Sequence, residues 1–257
     1  MKHFKFIFIL LGLSSVLAQQ PDPPGQVDSG EKAVNEAYLF AHMTHKDYGR
    51  LYYSVSKDGL HWQNLNEGER VFDNYQGHPD IVKGPKGNYY IAGNTSDSSP
   101  DIDIWSSDDL ITWEKHAVYT PDLTATPGYE NALQRIGAPK LFYDKASSQF
   151  IMTWHTPHKE GTKEDPERYW ASQRTLFVLS DNLKEFNGPP RMLFDWNIGT
   201  IDVIIRKVDN VYYAILKDET YPTLYWPTGK TIRIAKSSSL LGPYSLPQDP
   251  ISPNFRE

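Results

Sequence analysis

Four polar residues recur along this chain at a nearly constant interval. Asp80, Lys140, Asp202 and Glu257 are separated by 60, 62 and 55 residues. The first three lie in strand-like apolar runs, HPDIV, APKLF and TIDVI. A structure that stacks such repeats around an axis brings equivalent residues to equivalent positions. We therefore expect three carboxylates and one lysine to meet in one place.

The segments between these residues repeat as well. A second strand-like run follows each opening run, as NYYI, QFIM and VYYA. A Ser/Asp-rich turn with an aromatic residue then recurs as SKDGLHW, SDDLITW and SDNLKEF, with a fainter copy in SSLLGPY. Polar side chains can close such turns while the aromatic ring packs on a neighbouring sheet. Four-stranded sheets repeated at this period predict an all-β protein with a β-propeller fold.

The number of repeats predicts the number of blades. Units open near residues 78, 137, 200 and 257, while residues 38–62 contain only the outer strands of a further blade. We therefore expect a five-bladed propeller over residues 37–257 that is truncated in its fifth blade. Any helix in it should be no longer than a turn or two.

The N-terminus has the features of an export signal. Lys2 and Lys5 precede an apolar stretch, and Val16 and Ala18 are small residues of the kind that a signal peptidase recognises. Residues 1–18 are predicted to be a cleaved signal peptide and residues 19–36 a flexible, proline-rich leader. We expect a secreted or periplasmic protein with no membrane segment after cleavage. The mature chain contains no cysteine, so packing must stabilise it without disulfides.

Composition excludes one class of partner and favours another. The net charge is −6 and no basic run stands out, which argues against a nucleic-acid partner. The 7 Trp and 16 Tyr could stack on the faces of sugars or fill the interfaces between sheets. Converging carboxylates are typical of glycoside hydrolysis, in which an acid and a base or nucleophile act on opposite sides of the anomeric carbon.

The motifs also resemble a known enzyme family. From Tyr38 to Glu257, the runs FAHMT, SKDGLHW, HPDIV, RIGAPKLFYD, TIDVII and NFRE are similar to those of the five-bladed propeller enzymes of glycoside hydrolase family 43 and its clan relatives. The resemblance implies that Asp80 is the general base and that Glu257 is the general acid. It implies that Asp202 tunes and orients the acid.

Substrate and cofactor expectations follow from the same resemblance. It implies an inverting, monomeric enzyme for neutral carbohydrates, with α-L-arabinofuranosides or β-D-xylosides as candidate substrates. No cofactor is required and no residue set is predicted to ligate a catalytic metal, although some relatives hold a structural calcium in the central channel. We expect Lys140, His155 and Lys217 to contact sugar hydroxyls, although solvated or ion-paired lysines would fit the sequence equally well.

Two positions depart from the family pattern, and two other functions stay open. Lys140 stands where many members have an acidic residue or Gln, and Gly137 where Trp is common. A propeller that binds carbohydrate without catalysis is one alternative. A sialidase-like enzyme is the other alternative. The turn in this chain is one residue shorter than the usual sialidase turn, and no arginines stand at the blade openings to bind a carboxylate.

Overall fold

The structure is a computed structural model that describes residues 6–7, 36–96, 99–129, 136–158, 165–224 and 229–253. Its strands form four sheets in chain order. Sheet 1 consists of β1 (Phe6–Ile7), β2 (Ala37–Thr44), β3 (Asp47–Ser56) and β4 (Gln63–Asn64). Sheet 2 consists of β5 (Ile81–Lys83), β6 (Tyr89–Asn94), β7 (Ile102–Ser107) and β8 (Glu114–Tyr119).

The next two sheets follow the same plan. Sheet 3 consists of β9 (Gly137–Asp144), β10 (Gln149–Pro157), β11 (Gln173–Ser180) and β12 (Asn187–Met192). Sheet 4 consists of β13 (Thr200–Val208), β14 (Val211–Asp218) and β15 (Thr231–Ser237). Residues 245–251 run beside β15 as an irregular fourth strand, since the N–H groups of Ser245, Gln248 and Ile251 donate to its carbonyls.

Neighbouring strands are consecutive in the sequence and antiparallel, apart from β1, which pairs in parallel with Ala37 and Tyr38 of β2. This is the arrangement that short hairpin connections favour. The opening and second strands predicted from the repeat lie where β5 and β6, β9 and β10, and β13 and β14 are found.

The sheets pack face to face around three apolar clusters, one for each interface between successive sheets. Leu51, Tyr75 and Ile91 lie between sheets 1 and 2. Tyr90, Leu141, Trp154 and their neighbours fill the space between sheets 2 and 3, and Ile151, Phe177, Val203 and Leu216 that between sheets 3 and 4. Many of the aromatic residues therefore serve as packing between sheets.

The outer Ser/Asp turns are built alike in sheets 1, 2 and 3. The hydroxyls of Ser56, Ser107 and Ser180 accept the N–H of the residue three positions on at 2.8, 2.8 and 2.7 Å. Asp58, Asp109 and Asn182 each accept two further backbone N–H groups. The residue that follows is left-handed each time, with φ of +74° at Gly59, +67° at Leu110 and +60° at Leu183. These bonds offset the conformational cost at the two leucines.

The aromatic anchors of these turns differ in burial. Trp113 is buried against Phe72, and Phe186 packs on Tyr119. Trp62 is 37% exposed and contacts Phe40 of its own sheet. The described residues place no second sheet over this face of sheet 1, which explains the difference.

The all-β prediction is confirmed, and the described helices are short. One is a three-residue 3₁₀ turn, Asn66–Gly68, and the other is α1 (Pro166–Ala171), capped by the Asp165 side chain and started by proline. Within the described part of the chain, neither is long or apolar enough to cross a bilayer. The predicted signal peptide and leader lie outside the described residues, apart from β1 and Glu36.

Candidate active site

Three of the four repeating residues meet at one end of the sheets. Asp80 immediately precedes β5, Lys140 lies on β9 and Asp202 lies on β13. The strand pairing shifts near the ends of β9 and β13, between Thr153 and His155 and between Ile201 and Ile204. Such bulges redirect side chains and are common beside active sites.

Asp80 is held by an arginine from a distant strand. Arg206 of β13 approaches both carboxylate oxygens, with Nη2 2.6 Å from Oδ1 and Nη1 3.5 Å from Oδ2. Only 9% of the Asp80 side chain is exposed. A guanidinium in this position forms a charge-assisted hydrogen bond with the carboxylate. It also occupies lone pairs that a water molecule would otherwise use.

Lys140 lies close enough to Asp80 and Asp202 to feel the charges of both. Its ammonium donates a hydrogen bond of 2.7 Å to the carbonyl of His78. Burial lowers the pKa of Lys140, against the opposing charges of Asp202 and Asp80 and with a smaller contribution from Arg206. A cation there offsets the mutual repulsion of the two carboxylates.

Asp202 occupies the bulge of β13 with a left-handed backbone, φ +53°. Its Oδ1 lies 3.3 Å from Nδ1 of His78 and 4.0 Å from Nδ1 of His155. Burial alone would raise the pKa of Asp202, but the contact with His78 and the charges of His155, His78 and Lys140 outweigh burial and hold the pKa below its ordinary value. The carboxylate is therefore ionised at neutral pH.

Asp202 and His155 face a cavity of about 140 Å³. The segment that contains α1 covers one side of it with Tyr169 and Trp170, whose ring centroids are 5.3 Å apart. The other polar and aromatic residues of the lining come from sheets 1, 2 and 3, and include Tyr48, Gln76, His78, Asn94 and Gln173. Aromatic faces beside hydrogen-bonding groups are suited to a sugar ring.

The departure at Gly137 has a structural reason. A Cβ atom added there would overlap the imidazole of His155, which lies directly against the glycine. A large side chain at this position therefore cannot coexist with His155 in its present place. The histidine occupies the space, and the donors and acceptors at this wall of the cavity are those of an imidazole.

Sequence comparison places this arrangement in a known family. The model of one protein family, described as a probable glycosyl hydrolase domain and related to glycoside hydrolase family 43, matches residues 34–255. This chain belongs to that family. A comparison with curated proteins finds no match.

Solved glycosidases share the fold of this family 43-related chain at low identity. An α-L-arabinanase of Penicillium chrysogenum is 17% identical over 76% of this chain and 56% of its own, with a TM-score of 0.51. A family 43 arabinoxylan arabinofuranohydrolase from Bacillus subtilis is 15% identical over 78% and 44%, with a TM-score of 0.53. A family 93 α-L-arabinofuranosidase of Fusarium graminearum is 16% identical over 76% and 57%, with a TM-score of 0.51.

These likenesses establish the fold, a β-propeller, and not the substrate. The chain spans about half the length of the solved structures that it matches.

Lys217, predicted to contact sugar in this glycosyl hydrolase domain, pairs with Ile201 across β13 and β14. It is buried, and its ammonium is 3.2 Å from Oε1 of Glu219, whose other oxygen binds Lys230. It does not line the cavity described above. Its sugar contact stays a prediction, as does the acid role of Glu257, which lies outside the described residues.

Sequence reasoning missed Arg206, His78 and Tyr48. Arg206 is four residues beyond Asp202 on the same strand, which on a regular strand would place both on one face. His78 is two residues before Asp80. Over the residues that the structure describes, no group of three or more His, Asp or Glu side chains could hold a metal ion.

Proposed function

We propose that this protein hydrolyses glycosidic bonds in neutral oligosaccharides or polysaccharides, with α-L-arabinofuranosides and β-D-xylosides as the candidate substrates. The observation that carries the proposal is the convergence of Asp80 and Asp202, from sheets 2 and 4, around the buried ammonium of Lys140. Membership of a probable glycosyl hydrolase family supports the same chemistry. The arabinanase and arabinofuranosidase activities of the structural neighbours are the reason for preferring arabinofuranosides.

The proposed mechanism is an inverting displacement. Asp80 takes a proton from the water that attacks the anomeric carbon, while an acid protonates the leaving oxygen on the other side. Glu257 is the proposed acid, and Asp202 tunes and orients it. In inverting enzymes the acid and base carboxyls are about 6.5 to 9.5 Å apart, which leaves room for the water.

The cavity supports a sugar-binding role for its lining. Tyr48, Tyr169 and Trp170 provide aromatic surface, and His155 and Gln173 provide hydrogen-bonding groups beside Asp202. A pentose presents apolar ring faces and a rim of hydroxyls, which this combination matches. In this proposal Lys140 acts on the carboxylates rather than on a hydroxyl, because its ammonium is buried and donates to His78.

The test is a panel of nitrophenyl glycosides applied to the full-length protein. We expect turnover of an α-L-arabinofuranoside or a β-D-xyloside, and NMR of the first-formed product should show the inverted anomer. Retention of configuration would overturn the inverting mechanism. Absence of turnover on every neutral glycoside and on the corresponding polysaccharides would overturn the hydrolase proposal.

A second candidate function is carbohydrate binding without catalysis. The observation that favours it is the Arg206 pair, since it occupies the Asp80 carboxylate, which does not line the cavity. Calorimetry against arabinan and xylan oligosaccharides separates the two functions. Binding that is accompanied by no release of sugar supports the binding module, and release of sugar excludes it.

We also propose that the propeller has five blades and that the protein is exported. The recurrence of the sheets at the period of the sequence repeat supports the first, and the pattern of residues 1–18 supports the second. Export predicts a mature N-terminus at Gln19. Intact-mass measurement of secreted protein that still retains Met1 would rule out this cleavage.

A further inference from the structure

His78 connects all four sheets at the candidate active site. It lies just before β5 of sheet 2, and its carbonyl accepts the ammonium of Lys140 from sheet 3 at 2.7 Å. Its Nε2 is 2.8 Å from the hydroxyl of Tyr48 in sheet 1, and its Nδ1 is 3.3 Å from Oδ1 of Asp202 in sheet 4. The ring of Tyr48 also meets the imidazole edge to face, at 5.4 Å between centroids. An imidazole contacted at both ring nitrogens has a defined orientation.

The partners of the two ring nitrogens determine where the proton lies. An ionised carboxylate only accepts hydrogen bonds, so a bare Nδ1 facing Asp202 would set two lone pairs against each other. A tyrosine hydroxyl can donate to Nε2 or accept from it. A proton on Nδ1 is therefore favoured whether His78 is neutral or charged. The 3.3 Å contact is electrostatic and not a well-aligned hydrogen bond, because Oδ1 of Asp202 has no hydrogen-bond partner among the described residues.

His155 contacts the same aspartate as a hydrogen-bond acceptor. The backbone N–H of Asp202 donates a long hydrogen bond of 3.5 Å to Nδ1 of His155. That nitrogen therefore acts as an acceptor, and the proton of a neutral His155 lies on Nε2. Of the two histidines, His78 is therefore the one whose Nδ1 can carry a proton that faces the Asp202 carboxylate.

The backbone of Asp202 makes this contact important. A left-handed conformation with φ +53° is uncommon for a residue with a side chain, and persists where the surroundings hold it. We propose that His78 is a positioning residue that fixes the Asp202 carboxylate at the cavity through a proton on Nδ1, with Tyr48 fixing the imidazole from its other nitrogen. The role in turnover rests on the proposed function, whereas the tautomer does not.

The first experiment therefore needs no substrate. In protein labelled with ¹⁵N-histidine, the His78 signals are identified by their loss in His78→Asn. At neutral pH we expect the shifts of an imidazole that carries its proton on Nδ1, and a change in those shifts in Asp202→Asn. A neutral imidazole protonated on Nε2, or shifts that are the same in Asp202→Asn, would overturn the inference without bearing on hydrolysis.

The second experiment uses two replacements that each preserve one nitrogen of the ring. The amide NH₂ of Asn can occupy the position of Nδ1 and keep the donor to Asp202, whereas that of Gln reaches toward Nε2 and leaves Asp202 without it. On a glycoside that the wild type hydrolyses, we expect kcat to fall about 100-fold in His78→Gln with little change in KM, since a displaced catalytic group costs that much. We expect His78→Asn to recover about tenfold of that loss, because it keeps the donor.

A histidine outside the site provides the matched control. His116 contacts the carbonyl of Asn182 through Nε2, and His116→Gln should keep wild-type kcat and KM. Equal kcat in His78→Gln, His78→Asn and wild type would overturn the positioning role. Equal losses in both variants, with equal drops in melting temperature, would also overturn it, because they would assign His78 to stability alone. A wild type without turnover would count against the proposed hydrolase and leave the NMR result to decide the inference.

Discussion

Two consecutive residues of β13 each pair with a buried aspartate, but the aspartates differ in what else holds them. Arg206 binds Asp80, and Lys207 lies 3.4 Å from Oδ1 of Asp144 at the end of β9. The exposed fractions of the side chains are alike, 22% and 9% for the first pair and 26% and 3% for the second. Similar burial therefore does not separate a functional carboxylate from a structural one.

The partners separate them. Asp144 also accepts hydrogen bonds from the hydroxyl of Tyr212 at 3.0 Å, from the hydroxyl of Ser147 at 2.9 Å and from the N–H of Ser147 at 3.1 Å. Ser147, in the turn that follows Asp144, provides two of these three hydrogen bonds. Among the described residues, the side-chain hydrogen bonds to Asp80 come from Arg206 alone, and the charge of Asp80 also acts on Lys140. A carboxylate satisfied by its own turn stabilises that turn, whereas one held from a distant strand can take part in chemistry.

Turnover should show the largest contrast. Asp80→Asn keeps the shape of the side chain but cannot abstract a proton, so we expect kcat to fall at least about 100-fold. Asp144→Asn should keep wild-type kcat, because Asp144 lies at the opposite end of β9 from Gly137, which lines the cavity. Steady-state kinetics on the best nitrophenyl glycoside measure both. A loss of less than about tenfold in Asp80→Asn would remove Asp80 from the role of base.

Removing the cations should give the next largest contrast, in stability. Arg206→Met leaves Asp80 buried without its hydrogen-bond donor, and we expect a loss of about 3 kcal/mol in the free energy of unfolding. Lys207→Met leaves Asp144 with its turn donors, so a clearly smaller loss is expected. Urea denaturation followed by tryptophan fluorescence provides the measurement. Losses of equal size would mean that the two aspartates depend equally on their cations, which would end the distinction.

Acid should affect stability through two aspartates, Asp144 of sheet 3 and Asp202 of sheet 4, whose contacts differ. The pKa of Asp144 lies below its ordinary value because its hydrogen bonds from Ser147 and Tyr212 outweigh burial, the largest single influence, and the pKa of Asp202 is lowered chiefly by His78 against the same opposing effect. A carboxyl with a lowered folded-state pKa adds stability above its unfolded pKa, and this stability is lost as the pH falls toward the folded value.

We therefore expect the wild-type melting temperature to fall between about pH 5 and pH 2 more steeply than that of Asp144→Asn or Asp202→Asn. Both variants start from a lower stability at neutral pH, so the slopes and not the absolute values are compared. His78→Gln should flatten the curve in the same way as Asp202→Asn. A wild-type slope in Asp202→Asn would show that its ionisation is not coupled to folding.

The sequence predicts the sheets well because each repeat contains the residues that form its own turns and strands. The turns at Ser56, Ser107 and Ser180 close through bonds between near neighbours, which spacing alone can anticipate. The gathering of Asp80, Lys140 and Asp202 also follows from the period. Turn-forming residues and a constant repeat spacing can both be recognised in a single sequence.

The rest of the site depends on contacts that no spacing reveals. The bulge between Ile201 and Ile204 changes the alternation of β13, so the face that Arg206 presents could not be read from its distance to Asp202. The close approach of Gly137 to the imidazole of His155 depends on the pairing of two strands. Lys217 is different, because Glu219 is only two residues away and the ion pair could have been foreseen.

The smallest effect we expect comes from the turn that holds Asp144. Ser147→Ala removes the hydroxyl donor at 2.9 Å but leaves the backbone N–H at 3.1 Å, so the free energy of unfolding should fall by about 1 kcal/mol. The pKa of Asp144 should move back toward its ordinary value, and the acid-induced fall in melting temperature should become slightly shallower. Turnover should stay at the wild-type level, because the turn is separated from the cavity by the length of β9. If Ser147→Ala instead slowed hydrolysis as strongly as Asp80→Asn, the two ends of the sheets would be coupled, and local satisfaction could no longer serve to separate structural from functional aspartates in this propeller.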